Sequence, residues 1–176
     1  MHRRKVRGFS LLEVMIAVFV FSLGLLGLAG LMVVSVKTNQ SAYLRTQASF
    51  LAQSMADRMR ANTGWINTYN GTYNASTASG SDPCAAGAVC APPQLVVRDQ
   101  LFFSQQLVAA LPNVTGLINC TGLTLGTATH RGAAPYNGLC QFTIQWDEAT
   151  LNRSATGAPL AAGTPTAQTF AWVFQP

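Results

Sequence analysis

From Val14 to Val34 the chain runs for 21 residues without a charge, interrupted only by Ser22 and by glycines 24, 27 and 30. A helix of that length and composition crosses a bilayer core. From Lys37 to Ala61 the pattern changes: Leu44, Ala48, Leu51, Met55 and Met59 recur at spacings of four, three, four and four among polar residues, the stripe of an amphipathic helix. No helix breaker separates the two segments, and Asn62-Thr63-Gly64 supplies a stop. The expectation is one continuous helix from about Phe9 to Asn62, its first half in lipid and its second half packed on a soluble domain. Met55 and Met59 then read as core residues rather than ligands.

Beyond the helix, Thr63 to Ala91 is rich in Asn, Thr, Ser, Gly and Ala and reads as a long irregular connection. Pro92-Pro93 stands where a helix can start, and Asp99, Phe103, Leu107 and Leu111 fall every four residues before Pro112 ends the run. Strand signals follow. Phe142, Ile144 and Trp146 alternate with Gln141, Thr143 and Gln145; Phe170, Trp172 and Phe174 alternate with Thr169, Ala171 and Val173; Val114 to Cys120 is a weaker candidate. Antiparallel strands with one apolar face need a cover, and the amphipathic half of the long helix provides it. The fold class expected is therefore α+β, a long N-terminal helix packed on a small antiparallel sheet.

Charge changes the picture at the N-terminus. Of the formal +5, Arg3, Arg4, Lys5 and Arg7 contribute four; the other seven basic residues face six acidic ones, leaving +1. The basic cluster precedes the apolar run, so the positive-inside rule keeps the N-terminus cytoplasmic and sends the remainder outward. The cysteines agree with an oxidising compartment: Cys84, Cys90, Cys120 and Cys140 are even in number, lie in the outward portion and match no zinc pattern. Three pairings are open; Cys84 with Cys90 and Cys120 with Cys140 are favoured because each closes a short local loop. One residue resists the membrane reading. Glu13 sits among the first apolar residues, where a charge costs on the order of 3 kcal/mol on insertion scales. It either snorkels to the interface and favours the helix dipole or has a partner. A cleaved secretory signal is the competing reading of this region, but the apolar run exceeds a usual h-region and Glu13 lies where that region is purely apolar.

A short basic leader ending in Gly8, followed by Phe-Ser-Leu-Leu-Glu-Val-Met-Ile-Ala (Phe9 to Ala17) opening a long apolar helix, resembles the class III signal of type IV pilins and type II secretion pseudopilins. The resemblance implies a pilin-like fold, cleavage after Gly8 by a prepilin peptidase and a new, N-methylated terminus at Phe9. It also implies that Glu13 of an incoming subunit aligns with the Phe9 amine of a neighbour and sets the assembly register. The organisation implied is a leader over 1–8, the transmembrane and assembly half of the helix over 9–36, its amphipathic half over 37–62 and a disulfide-bonded periplasmic domain over 63–176. Cys90-Ala-Pro-Pro-Gln-Leu, the Asp99-to-Pro112 helix, Ile144-Gln-Trp-Asp-Glu148 and Gly24-Leu-Leu-Gly-Leu-Ala-Gly-Leu31 are similar to the type IV pilus modification class, the V minor pilins. Partners implied are other minor pilins and the major pilin, the prepilin peptidase and the inner-membrane assembly platform, with residence in the bacterial inner membrane and then the filament. A minor pseudopilin of type II secretion and a membrane-anchored periplasmic protein without a filament role are the alternatives. Pilins of this kind often have a segment near the glycines 24, 27 and 30 that melts in the filament; this chain has no proline before Pro83, and the three glycines stand in its place.

No catalytic, metal or cofactor site is expected. His2 and His130 are the only histidines, and a lone histidine in a Gly/Thr-rich loop is solvated more often than catalytic. Asp147 and Glu148 point to opposite faces of a strand end and read as the opening of a solvated turn. Six Asn-X-Ser/Thr matches, at Asn39, Asn70, Asn74, Asn113, Asn119 and Asn152, follow from composition. Arg58, Arg60, Arg98 and Arg131 read as scattered solvated arginines, so no nucleic-acid partner is expected.

Overall fold

A computed structural model describes residues 8–84, 89–121, 138–149 and 165–176. The chain forms two compact units, one ending at Gln40 and one spanning Ser41–Pro176. Helix α1, Leu11–Ala61, contributes to both.

In the first unit every residue of α1 from Leu11 to Val36 is exposed. This stretch is long and apolar enough to cross a membrane, with a mean hydropathy of 2.5 over its best window. The hydroxyls within and just beyond it are satisfied by the helix itself: Ser22 Oγ donates to the Val18 carbonyl at 2.7 Å and Thr38 Oγ1 to the Val34 carbonyl at 3.0 Å. Back-bonding of this kind removes the cost of carrying a hydroxyl into hydrocarbon. The helix runs unbroken through Gly24, Gly27 and Gly30.

In the second unit the remaining part of α1 buries Leu44, Ala48, Leu51, Ala52, Met55, Ala56 and Met59, the five predicted positions with two alanines between them. The other face carries mostly polar and charged residues, with Tyr43 and Phe50 exposed among them. After Ala61 a 3₁₀ segment, Thr63–Tyr69, buries Ile66 and Tyr69. Strand β1 (Gly71–Tyr73) and a one-turn helix α2 (Ala75–Ala78) follow. Helix α3 runs from Pro92 to Ala110, beginning seven residues before Asp99, with proline at its first position where the missing N–H costs nothing. Strands β2 (Thr115–Thr121), β3 (Leu139–Ala149) and β4 (Pro165–Phe174) complete the described elements.

The sheet is an antiparallel meander in the order β1-β2-β3-β4. Its inner face carries Ile118 and Cys120 from β2, Cys140, Phe142, Ile144 and Trp146 from β3, and Phe174 from β4, all buried. Aromatic rings run through this layer. Tyr73 meets Phe103 edge-on at 5.3 Å, Phe103 meets Phe142 at 6.1 Å, and Phe142, Trp172 and Phe174 stack with centroids 5.1 to 6.0 Å apart. Gly116 marks where α3 presses on the sheet, since a Cβ there would lie 2.9 Å from Leu107 Cδ1. Cys120 and Cys140 are register partners on neighbouring strands and are disulfide-bonded; Cys84 is bonded to Cys90.

Two expectations are corrected. The stretch Thr63 to Ala91 is not one irregular connection: it contains the 3₁₀ segment, β1 and α2. Ile66, Tyr69 and Tyr73 are buried apolar anchors within it, and Asn70 joins it to the sheet by accepting from the Cys120 N–H at 2.6 Å and donating to the Cys120 carbonyl at 3.3 Å. Asn74 caps α2 by accepting from the Ser76 and Thr77 N–H groups. Nor do Asp147 and Glu148 open a solvated turn, because β3 continues to Ala149. Asp147 accepts from Asn113 Nδ2 at 3.0 Å and its N–H donates to the Pro112 carbonyl, while Glu148 is buried at 6% exposure on the inner face.

Candidate assembly interface

The N-terminal unit presents its chemistry at the first turn of α1. Ser10 starts the helix: its carbonyl accepts from the N–H groups of Glu13 at 3.0 Å and Val14 at 3.3 Å. Glu13 therefore lies in the first turn, where its carboxylate faces the positive end of the helix dipole. A shallow groove along the helix is lined by Phe9, Glu13, Val14, Ala17, Val18 and Phe21. Glu13 is the only charged member of that set. Among the described residues it has no ion-pair partner, and Phe9 beside it is 84% exposed. In hydrocarbon or in a bundle of apolar helices such a carboxylate needs a cation close by.

In the second unit the polar groups are organised around Asp99. Its carboxylate accepts from Arg58 Nη1 at 3.1 Å and from the Tyr69 hydroxyl at 2.9 Å. Asn62 Nδ2 donates to the Tyr69 oxygen and to the Pro92 carbonyl, and the Tyr73 hydroxyl donates to the Tyr69 carbonyl. One carboxylate thus links α1, the 3₁₀ segment and α3. Burial, reinforced by the Asp99 charge, pushes both tyrosine hydroxyls well above the ordinary tyrosine range. Both are neutral in the folded chain, so their contribution to stability is complete below pH about 10, the unfolded value, and is lost as pH rises above it. Unfolding on alkaline titration is expected to begin above that pH, and Tyr73→Phe should flatten the stability loss between about pH 10 and 12. Circular dichroism recorded alongside the tyrosinate absorbance checks it.

Among the described residues, Arg58, Arg60 and Arg98 do not make an open basic patch. Arg58 pairs with Asp99, Arg60 with Asp57 while also lying over the Phe174 ring, and Arg98 with Asp82 while lying over Phe102. His2, His130 and Arg131 lie outside the described residues. Sequence reasoning missed the Asp99 hub; the spacing of Ile66, Tyr69 and Tyr73, seven residues across in an otherwise polar stretch, was the signal available.

These features define an α+β protein whose N-terminal helix can span a membrane and whose exposed apolar surface carries one carboxylate. Comparison with known families gives that class its name. A model of the prokaryotic N-terminal methylation motif matches residues 3–29, and a model of the type IV pilin Tt1218 matches residues 30–101. No curated protein and no solved structure matches the chain. The chain is a type IV pilin-like protein, and the family is structural rather than enzymatic.

Proposed function

We propose that this chain is a minor pilin of a type IV pilus, which joins other minor pilins in the inner membrane, primes filament assembly and enters the pilus. The observation that carries the reading is Glu13, a carboxylate without an ion-pair partner among the described residues, in the first turn of an exposed apolar helix that follows a basic leader and Gly8. On this reading a prepilin peptidase removes residues 1–8 on the cytoplasmic side, and Phe9 becomes the methylated N-terminus. The cut creates an ammonium at the position one helical turn from Glu13.

The mechanism is non-catalytic. The helix waits in the bilayer with the domain on the outer side, and the assembly platform then extracts it into a bundle of like helices. There an unpaired carboxylate is strongly disfavoured, while a neighbour's Phe9 amine at the right axial offset relieves it. That difference selects one register out of the many that a uniform apolar helix allows. Supporting the minor class over a major pilin are Gly24 to Leu31, the Cys90 to Leu95 run and the Ile144 to Glu148 strand.

Mass spectrometry of the mature chain tests the reading. A start at N-methylated Phe9 is expected, and an intact Met1 or a start at Gly30 would overturn it. A deletion strain should lose or thin its surface pili while protein secretion continues; the reverse pattern reassigns the chain to the secretion pseudopilins.

A further inference from the structure

The triplet Tyr-Asn-Gly occurs twice in the chain, at Tyr69 to Gly71 and at Tyr136 to Gly138. Asparagine followed by glycine is prone to spontaneous deamidation, because glycine has no Cβ to shield its backbone nitrogen from the preceding side chain. In that reaction hydroxide takes the proton of the glycine N–H, and the nitrogen attacks the asparagine Cγ. An N–Cγ bond forms, the Cγ–Nδ2 bond breaks, and the amide nitrogen takes a proton from water and leaves as ammonia. Water then opens the cyclic imide at either carbonyl, giving aspartate or isoaspartate. The steps need no oxidant or reductant, and water is the only co-reactant.

At Asn70 the fold holds both reacting groups against one strand. Oδ1 accepts from the Cys120 N–H at 2.6 Å and Nδ2 donates to the Cys120 carbonyl at 3.3 Å, so the amide cannot turn its carbon toward Gly71 without breaking both bonds. The nitrogen is engaged as well. Cys120 directs its N–H and C=O toward Asn70, and in an antiparallel ladder the residue two places away directs its own to the same side. That residue is Ile118, the register partner of Gly71, which puts the Gly71 N–H in a ladder bond to Ile118. Cys120 is itself tied to β3 through Cys140. Strand β1, by contrast, has three residues, of which Tyr73 alone is buried. A short strand with one buried anchor belongs to the part of a domain that opens locally.

We propose that Asn70 is a spontaneous modification site gated by β1: its amide is protected while β1 is paired with β2, converts when β1 lifts away, and once converted keeps the strand from returning. The acid that forms carries no N–H, so the Cys120 carbonyl loses its donor and faces a second acceptor. Isoaspartate also adds a methylene to the main chain just before Gly71, which puts β1 out of step with Ile118, Leu117 and Gly116. An opening of β1 is thereby recorded covalently and made one-way. The inference rests on the second compact unit alone and stands whether or not the pilus reading does.

The test uses the full chain in detergent micelles at mildly alkaline pH, sampled over time and read by tryptic mass spectrometry. Asn70 then falls in the peptide Ala61–Arg98 and Asn137 in Gly132–Arg153. Asn137 lies outside the described residues and serves as the reference in the denatured chain only. In urea with the disulfides reduced, the two Tyr-Asn-Gly sites should convert at similar rates. In the folded chain Asn70 should convert at least about tenfold more slowly than in urea, since the reaction then tracks the small open population. Tyr73→Phe removes the hydroxyl that donates to the Tyr69 carbonyl, keeps the ring in the core, and should raise the folded-chain rate several-fold. Asn70→Asp should hasten hydrogen exchange of the β1 amides by at least about tenfold. A folded rate equal to the denatured one, an inert Asn70 beside a reactive Asn137 in urea, a folded rate unmoved by Tyr73→Phe, or wild-type exchange in Asn70→Asp would each overturn the proposal.

Discussion

Replacing Glu13 with leucine is expected to leave membrane insertion and leader removal intact and to eliminate the chain from the sheared filament fraction. The substitution removes a charge from an apolar helix, so insertion becomes easier rather than harder. The peptidase site at Gly8 and Phe9 is untouched. What is lost is the proposed partner of the neighbouring Phe9 amine, and breaking a buried pair by removing one member costs about 3–5 kcal/mol. A penalty of that size corresponds to an occupancy loss of roughly a hundredfold or more. Glu13→Gln keeps the shape and a hydrogen-bonding group but not the charge, and should incorporate poorly rather than not at all. Immunoblots of membrane and filament fractions read both variants. Normal incorporation of Glu13→Leu would remove the register mechanism while leaving the pilin-like fold unaffected.

The second large effect is on stability. Asp99→Ala is expected to destabilise the domain by about 2–3 kcal/mol, and Asp99→Asn by about 1 kcal/mol. The ion pair with Arg58 explains little of this, because the Arg58 side chain is 36% exposed and such pairs are weakened by solvent. Most of the cost comes from the Tyr69 hydroxyl, whose residue is fully buried and whose proton loses its acceptor at 2.9 Å. Asparagine can still accept that proton through Oδ1, which is why it should cost less. Denaturant unfolding of the full chain in detergent, followed by circular dichroism, distinguishes the two. Equal losses for Ala and Asn would mean that the Arg58 charge, not the Tyr69 hydrogen bond, governs the site.

Asp99 also indicates which interactions hold the described domain together. It ties α3 to the end of α1 at the point where the chain turns into the 3₁₀ segment. The Cys120–Cys140 bond closes β2 onto β3 at the same end of the sheet as Phe174. Asn113, the residue with a left-handed backbone at φ 49°, turns the chain from α3 into β2 and donates its amide to Asp147. These directional ties, hydrogen bonds and a disulfide, join parts of the chain that are distant in sequence, while the aromatic layer supplies the non-directional part of the stability.

The sequence by itself determined those features that repeat with a period or concentrate in one place. The stripe Leu44, Ala48, Leu51, Met55 and Met59 is buried because a helix brings every third or fourth residue to one face. Phe142, Ile144 and Trp146 are buried because a strand does the same with every second residue. Glu13 stood out because a lone charge in a long apolar run can be read without knowing what packs around the helix. Tertiary structure alone decided the rest. Thr63 to Ala91 has no sustained period, and its strand exists because Tyr73 finds the core and the Asn70 amide imitates a peptide against Cys120. Glu148 looked like a turn residue, yet it continues the inward face of β3, because register in a sheet is set by the partner strand and not by the polarity of one side chain.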